Sequence, residues 1–260
     1  MPVLIIPDIH ERLDKLATAL HGRVQKADRV VFLGDYFDAF GPVDLGRVAQ
    51  VCAFINGSID GLTPMITDSE TRHVPVDFLL GNHDCHYFFR HMGFRCSGFD
   101  HQKWEVINAN VPQGIIDKFK VFTKVGPYLL SHAGLHEATL GFDAPLVEAA
   151  ALRTAREGGW DPFWGAGQAR GGRQRIGGPT WLDWNYEFEH IDGMPQIVGH
   201  TNGKTVRMKG RTTAESATDE DGTVTVPVEL SYCLDTALHD VAWVDEETGV
   251  VTIEHLDHRA

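Results

Sequence analysis

The chain has 260 residues, of which 43% are hydrophobic and 23% charged, and a net charge of −13. This balance is that of an ordinary globular protein, long enough for one large domain over residues 1–260. The acidic surplus excludes an extended basic face for nucleic-acid backbones, and no apolar stretch approaches the length of a membrane helix.

Val3–Pro7 is a short apolar run, followed by Leu13, Leu16, Ala17 and Leu20 at helical spacing. Arg29–Leu33 predicts a second strand, and Leu45, Val48, Ala49, Cys52 and Ile55 a second amphipathic helix. Val76–Leu80 predicts a third strand and His86–Met92 a short helix after it. This β-α-β-α-β order, with strands apolar throughout rather than alternating, predicts a sheet buried on both faces. Further on, Pro127–Ser131 reads as a strand, Pro145–Arg156 as a helix and the basic Gly165–Gly178 as a loop. Beyond a strand at Gln196–Val198, the runs Thr205–Thr212, Thr223–Leu230, Val241–Val244 and Val250–Glu254 are β-rich. Their short polar turns predict an antiparallel C-terminal sheet. The class that results is α/β, with two packed β-sheets flanked by helices in a single domain.

The N-terminus reaches its apolar run without a basic region or a cleavage site, so a cytoplasmic location is expected. Cys52, Cys85, Cys96 and Cys233 form no CxxC pair and read as free thiols, while 14 histidines are a rich pool for a metal site.

Five apolar runs end abruptly in polar residues: LIIPDIHER (Leu4–Arg12), VVFLGDYFD (Val30–Asp38), FLLGNHDC (Phe78–Cys85), YLLSHAG (Tyr128–Gly134) and QIVGHT (Gln196–Thr201). Open α/β sheets bind ligands at the carboxyl ends of their strands, so these clusters can converge. They collect Asp8, His10, Asp35, Asp38, Asn82, His83, Asp84, His132 and His200. Carboxylates, imidazoles and an amide without thiolates suit hard to borderline divalent cations such as Mn, Fe, Zn or Ni. Asp8 and His10 share one side of a strand end, with Ile9 pointing the other way. Gly34, Gly81 and Gly199 each precede one of these residues, where a tight turn calls for permissive backbone angles. Taken singly, each polar residue is an ordinary cap or turn former. Their ordered recurrence at strand ends is what points to a site.

The series DIH, GDYFD, GNHD, SHAG and GHT resembles the five-motif signature of the calcineurin-like metallophosphoesterases. It is most similar to the phosphoprotein phosphatase pattern of GDxHG, GDxVDRG, GNHE, a histidine and GHT. CLDTAL (Cys233–Leu238) resembles the aspartate-threonine strand that follows GHT in that branch. The resemblance implies a four-layer α-β-β-α sandwich of two packed mixed sheets and a dinuclear-metal-dependent phosphoesterase. It implies two divalent ions, Mn²⁺ first and Fe, Zn or Ni as alternatives, about 3.5–4 Å apart across a bridging water or hydroxide that attacks phosphorus. Asp8, His10 and Asp35 would hold one ion, and Asp35 would bridge to a second held by Asn82, His132 and His200. His83 would protonate the leaving alkoxide, and Asp38 would orient and charge His83.

The departures concern substrate. Ala39 follows Asp38 and Leu80 precedes GNHD, both where the phosphatase pattern places arginine. Asp183, in PTWLDWNYEF, takes the place of the arginine in the Trp-x-Arg of related bacterial enzymes. Such arginines clamp phosphate oxygens bidentately. The substitutes within reach in sequence are Arg12, Arg90, Arg95, and Arg170, Arg173 and Arg175 of the Gly-rich loop. The expected substrate is a phosphate monoester of a protein or small metabolite. A diester or dinucleoside polyphosphate is the alternative, since less charge needs fewer arginines and the aromatic HYFF and WLDWNY segments could stack a base. A catalytically silent metal-binding interaction protein is a third reading, opposed by the retained His83 and Asp38.

Overall fold

The computed structural model describes residues 1–63, 71–89, 96–139, 151–157, 159, 161–212, 217–218, 224–225 and 228–257. Along the chain these form β1 (Pro2–Ile6), α1 (Leu13–Leu20), β2 (Arg29–Phe32), α2 (Leu45–Ser58), β3 (Val76–Phe78), α3 (Asn82–Phe88), α4 (His101–Asn110) and α5 (Gln113–Ile116). There follow β4 (Phe122–Val125), β5 (Tyr128–Ser131), β6 (Gln196–Val198), β7 (Arg207–Thr212), β8 (Ala217–Thr218), β9 (Val224–Thr225), β10 (Val228–Cys233), β11 (Asp240–Asp245) and β12 (Val251–His255). Residues 151–156 are helical, and the rest of the expected Pro145–Arg156 helix lies outside the described residues.

Two mixed five-stranded sheets result, in the orders β12-β11-β1-β2-β3 and β4-β5-β6-β10-β7. β1, β2 and β3 pair in parallel, as do β5, β6 and β10, so their carboxyl ends open on a common side within each sheet. Apolar residues on both faces of the short strands decide the layering. Leu4, Ile6, Val30 and Phe32 face a core shared with α1 and α2, whereas Val3, Ile5, Val31 and Leu33 face Leu130, Ile197 and Leu234 of the second sheet. Each such aliphatic side chain contributes about 1.5–3 kcal/mol by leaving water. The far face of the second sheet is covered at Val198 and Cys233 by Leu182, Trp184 and Phe188. All four cysteines are free and buried. Among the described residues, no helix is long and apolar enough to cross a membrane.

The C-terminal half differs from the expectation of one antiparallel sheet. β7 and β10 do pair antiparallel, and so do β11 and β12, but the two hairpins join different sheets. β11 lies antiparallel against β1, with Ile5 opposite Ala242. The chain crosses between the sheets through Leu234–His239, where Ala237 and Leu238 both take φ 58°. Hairpin signals are local, whereas choice of sheet is set by distant partners, so only the hairpins could be read in advance.

The helix after β3 also begins earlier than expected, at Asn82 rather than His86. Asp84 explains this: its carboxylate accepts the Gly81 N–H at 2.8 Å and so caps the first turn. β4, α4 and α5 lie in a region where no element was expected. α4 is capped by Asp100, whose side chain accepts the amides of Gln102 and Lys103 at 2.8 and 3.1 Å.

Candidate metal centre and proton-donor pair

The strand ends deliver the polar residues to one place. β1 leads to Asp8 and His10, β2 to Asp35 and Asp38, β3 to Asn82 and His83, β5 to His132 and β6 to His200. His10, Asp35, Asp38 and His200 take positive φ between 46° and 66°, strain that sharp turns at strand ends impose. Gly34 shares this conformation at φ 107°. Gly81 and Gly199 do not; they are demanded by close approach, because a Cβ would collide with Asp35 Oδ1 and Asp8 Oδ1 respectively. Gly199 thus brings the second sheet against the first.

Two donor groups share Asp35: Asp8, His10 and Asp35 on one side, and Asp35, His132 and His200 on the other. His10 Nε2 lies 3.6 Å and His132 Nε2 3.4 Å from Asp35 Oδ2. His132 Nε2 also lies 3.0 Å from Asn82 Oδ1 and 3.1 Å from His200 Nδ1. The carbonyls of Phe37 and Leu33 hold His10 Nδ1 and His132 Nδ1, each at 2.9 Å. A carbonyl only accepts, so both Nδ1 atoms carry hydrogen and both Nε2 atoms face inward, as second-shell carbonyls orient ligand imidazoles. Cys96 Sγ accepts the Asn82 side-chain N–H at 3.2 Å, which turns the amide oxygen inward as well. Asp8 accepts the His200 N–H at 3.0 Å.

Oxygen and nitrogen lone pairs therefore face one another, an arrangement that a bound cation satisfies and protein groups alone do not. The electrostatics agree. Against the effect of burial, Asp35 and Asp8 push His132 up to about 9. Burial lowers His10 and His200 and keeps them neutral, the form that binds metal. Burial, with Asp235 and Asp35 nearby, raises Asp8 well above the usual carboxylate range. Asp35 is held well below that range despite burial, by His132 and His83. The donor set thus fits a pair of divalent cations.

Beside it stands a second cluster. His83 Nδ1 lies 2.8 Å from Asp38 Oδ2, and the His83 N–H donates to Asp35 Oδ1 at 2.9 Å. Burial would lower His83, but Asp35 and Asp38 outweigh it and raise its pKa. His86 Nε2 lies 2.9 Å from Asp38 Oδ2. Its Nδ1 accepts the Cys96 N–H at 2.9 Å, so the proton sits on Nε2 facing the carboxylate, and His86 belongs to a hydrogen-bonded network rather than to a ligand set.

Several of these residues escape sequence reasoning. Asp84, grouped above with possible ligands, is wholly committed to backbone: it accepts the amides of Asp35, Tyr36 and Gly81 at 2.8–2.9 Å. Burial pushes it up to about 7. Glu11, His86, Tyr87 and Lys103 gather around Asp38, a role that neither the first motif run, which contains Glu11, nor the HYFF segment announces. The signal that could have found Asp84 is its position three residues after Gly81, where a capping carboxylate belongs.

The arginines divide. Arg12 opens α1; its Nη1 is buried without a hydrogen-bond partner among the described residues, and its charge helps lower His10. Arg170 Nη2 donates to Thr201 Oγ1 at 2.7 Å, and its Nε lies 2.8 Å from Asp183 Oδ2. Asp183, where an arginine was to be expected, instead holds one supplied by the Gly-rich loop. Arg173 and Arg175 are exposed, and no hydrogen bond or ion pair ties them to site residues among those described. Arg90 and Arg95 lie outside the described residues. Leu80 points into the helix-facing core. In the HYFF segment His86, Tyr87 and Phe89 are buried and Phe88 is half-buried, and Tyr87, Phe88 and Phe89 line a cavity with Trp104.

A double sheet with oxygen and nitrogen donors converging at its strand ends is a scaffold for a metal centre. Residues 1–203 match the calcineurin-like phosphoesterases, and the chain belongs to that family. It is a metal-dependent phosphoesterase, a hydrolase acting on phosphoric esters. No curated protein matches the sequence. Among solved structures, the chain is similar to a cold-active protein-tyrosine phosphatase of a psychrophilic Shewanella, at 15% identity, 98% coverage of this chain, 80% of that one and a TM-score of 0.54. A putative diadenosine tetraphosphatase matches at 13% identity, covering 99% of this chain and 94% of that one, with a TM-score of 0.45. A serine/threonine phosphatase from Saccharomyces cerevisiae matches at 14% identity, covering 100% and 81%, with a TM-score of 0.46. The first of these supports the fold; the other two fall below the similarity at which they would add to it.

Proposed function

We propose that this phosphoesterase hydrolyses phosphate monoesters at a dinuclear centre, with His83 as general acid. The observation that carries the reading is the 2.8 Å His83–Asp38 contact beside two donor groups that share Asp35. Asp8, His10 and Asp35 would hold one divalent ion, and Asp35, Asn82, His132 and His200 the other. Such ions, with Mn²⁺ the first to supply given oxygen and nitrogen donors, would supply Lewis-acid charge for phosphate oxygens and for water. Asp38 Oδ2 accepts from His83 Nδ1 and fixes the ring, so that Nε2 can hand a proton to the departing oxygen. Arg12 and Arg170 would receive the remaining charge of a monoester dianion. Their two guanidinium groups near the site favour a monoester over a diester.

Hydrolysis of p-nitrophenyl phosphate and bis-p-nitrophenyl phosphate, with added Mn²⁺ and with chelator, tests this. Faster metal-dependent turnover of the monoester is expected. Faster diester turnover would transfer the reading to phosphodiesters, and metal-independent or absent turnover of both would remove it.

A further inference from the structure

Asp38 has more partners than the orientation of one histidine requires. Its Oδ2 faces His83 and His86, while its Oδ1 accepts the Tyr87 hydroxyl at 2.7 Å and the Lys103 ammonium at 3.1 Å. Lys103 comes from α4, outside all five motifs. A helical lysine ordinarily keeps its ammonium in water, but Lys103 is only 3% exposed, which excludes a solvated helix face. Its second partner is Glu11 Oε1 at 2.9 Å, and the same oxygen accepts the Asp38 N–H at 2.8 Å. Glu11 is 2% exposed and sits at φ 60°, a conformation glycine takes freely and a longer residue takes at a cost. What glutamate adds there is its carboxylate.

Glu11, Lys103 and Asp38 thus close a triangle around one carboxylate. A simple ion pair tying α4 to the β1 loop would need only one of its sides. We propose that Lys103 and Glu11 are positioning residues for proton delivery, fixing the Asp38 carboxylate so that Oδ2 meets His83 Nδ1. Tyr87 and Lys103 occupy Oδ1, and Glu11 pins the Asp38 backbone. The step served is cleavage of the P–O bond. Its electron pair stays on the ester oxygen, the His83 Nε2 proton moves there to give the alcohol, and the attacking water supplies the oxygen and one proton of the phosphate released, its second proton restoring His83. This inference rests on the reading of His83 as general acid.

The test compares p-nitrophenyl phosphate, whose phenolate leaves well without a proton, with phenyl phosphate, whose phenolate does not. kcat and KM are measured for the wild type, His83→Asn, Lys103→Met and Glu11→Gln. In Lys103→Met, kcat for phenyl phosphate should fall about fivefold further than kcat for p-nitrophenyl phosphate, with little change in either KM. Glu11→Gln keeps an oxygen for the Asp38 N–H and should move the ratio the same way by less. If Lys103→Met does not fold, Glu11→Gln carries the test. Equal losses on both substrates, or none, would leave a structural ion pair and overturn the proposal, provided His83→Asn is itself selective. An unselective His83→Asn would instead remove the general-acid reading, and this inference with it.

Discussion

The two polar clusters at the strand ends touch, yet they are satisfied in opposite ways. Around Asp38, donors and acceptors alternate: Lys103, Tyr87 and His83 give, while Asp38 and Glu11 receive. Around Asp35, oxygen and nitrogen atoms that can accept face one another, and Asp35 and Asp8 raise His132 to about 9 against the effect of burial. A self-sufficient network is a device for placing a proton. An acceptor-rich one is a receptor for positive charge from outside. Burial alone does not distinguish them, since both are almost wholly removed from water; the distinction lies in which partners the lone pairs meet.

The sharpest way to break this contrast is at the shared carboxylate. Asp35→Asn removes the charge common to both donor groups and should lower turnover about a thousandfold, or ~4 kcal/mol of barrier. Added Mn²⁺ should raise the melting temperature of the wild type and not of the variant, because a ligand stabilises only the fold that binds it. A variant that retained its Mn²⁺-dependent shift would show that the acceptor-rich cluster is not the cation receptor.

The next effect tests the scaffold beneath. Asp84 accepts three buried backbone amides, two of them in the β2 loop that presents Asp35. Asp84→Ala leaves those donors unpaired at about 1–3 kcal/mol each, so a loss of at least about 3 kcal/mol in denaturant unfolding is expected. A loss under about 1 kcal/mol would mean that water or rearrangement replaces the carboxylate.

The contrast also explains what could be read without coordinates. Strands buried on both faces are apolar throughout, so the β-α-β order and the polar interruptions at Asp8, Asp35, Asn82, His132 and His200 stand out along the chain. The supports of the proton-placing cluster do not stand out. Lys103 lies on a helix with few apolar residues and looks like any solvated lysine, and Glu11 looks like a turn residue. Only tertiary packing brings them to Asp38. The division of the C-terminal hairpins between the sheets was hidden for the same reason, since the Ile5–Ala242 pairing spans nearly the whole chain. The mismatch of arginine and aspartate at position 183 was visible and Arg170 stood among the candidate substitutes, but its resolution by a direct Arg170–Asp183 pairing was not.

That resolution makes a smaller prediction. Arg170→Ala should raise KM for a phosphate monoester about tenfold with little change in kcat, as expected when a group binds ground and transition states alike, or about 1.4 kcal/mol. Arg173→Ala, at an exposed position of the same loop, should leave KM unchanged. Equal effects from the two would assign binding to the loop's general charge.

The smallest expected effect lies away from both clusters and serves as their control. In the turn between β11 and β12, Asp245 Oδ1 accepts the amides of Thr248 and Glu247 and the Thr248 hydroxyl. The Thr248 bonds are the main reason its pKa falls from 3.8 to about 2. A group with a depressed folded-state pKa stabilises the fold fully above its unfolded value and loses that contribution as pH falls through the folded one. The urea midpoint of the wild type should therefore exceed that of Asp245→Ala at pH 6, and the excess should shrink as pH falls from about 4 to about 2. Because this partly exposed carboxylate is remote from the strand-end clusters, the same substitution should leave Mn²⁺-dependent turnover untouched. An excess that persisted unchanged below pH 2 would show that the turn is held by backbone geometry alone, with the carboxylate a bystander.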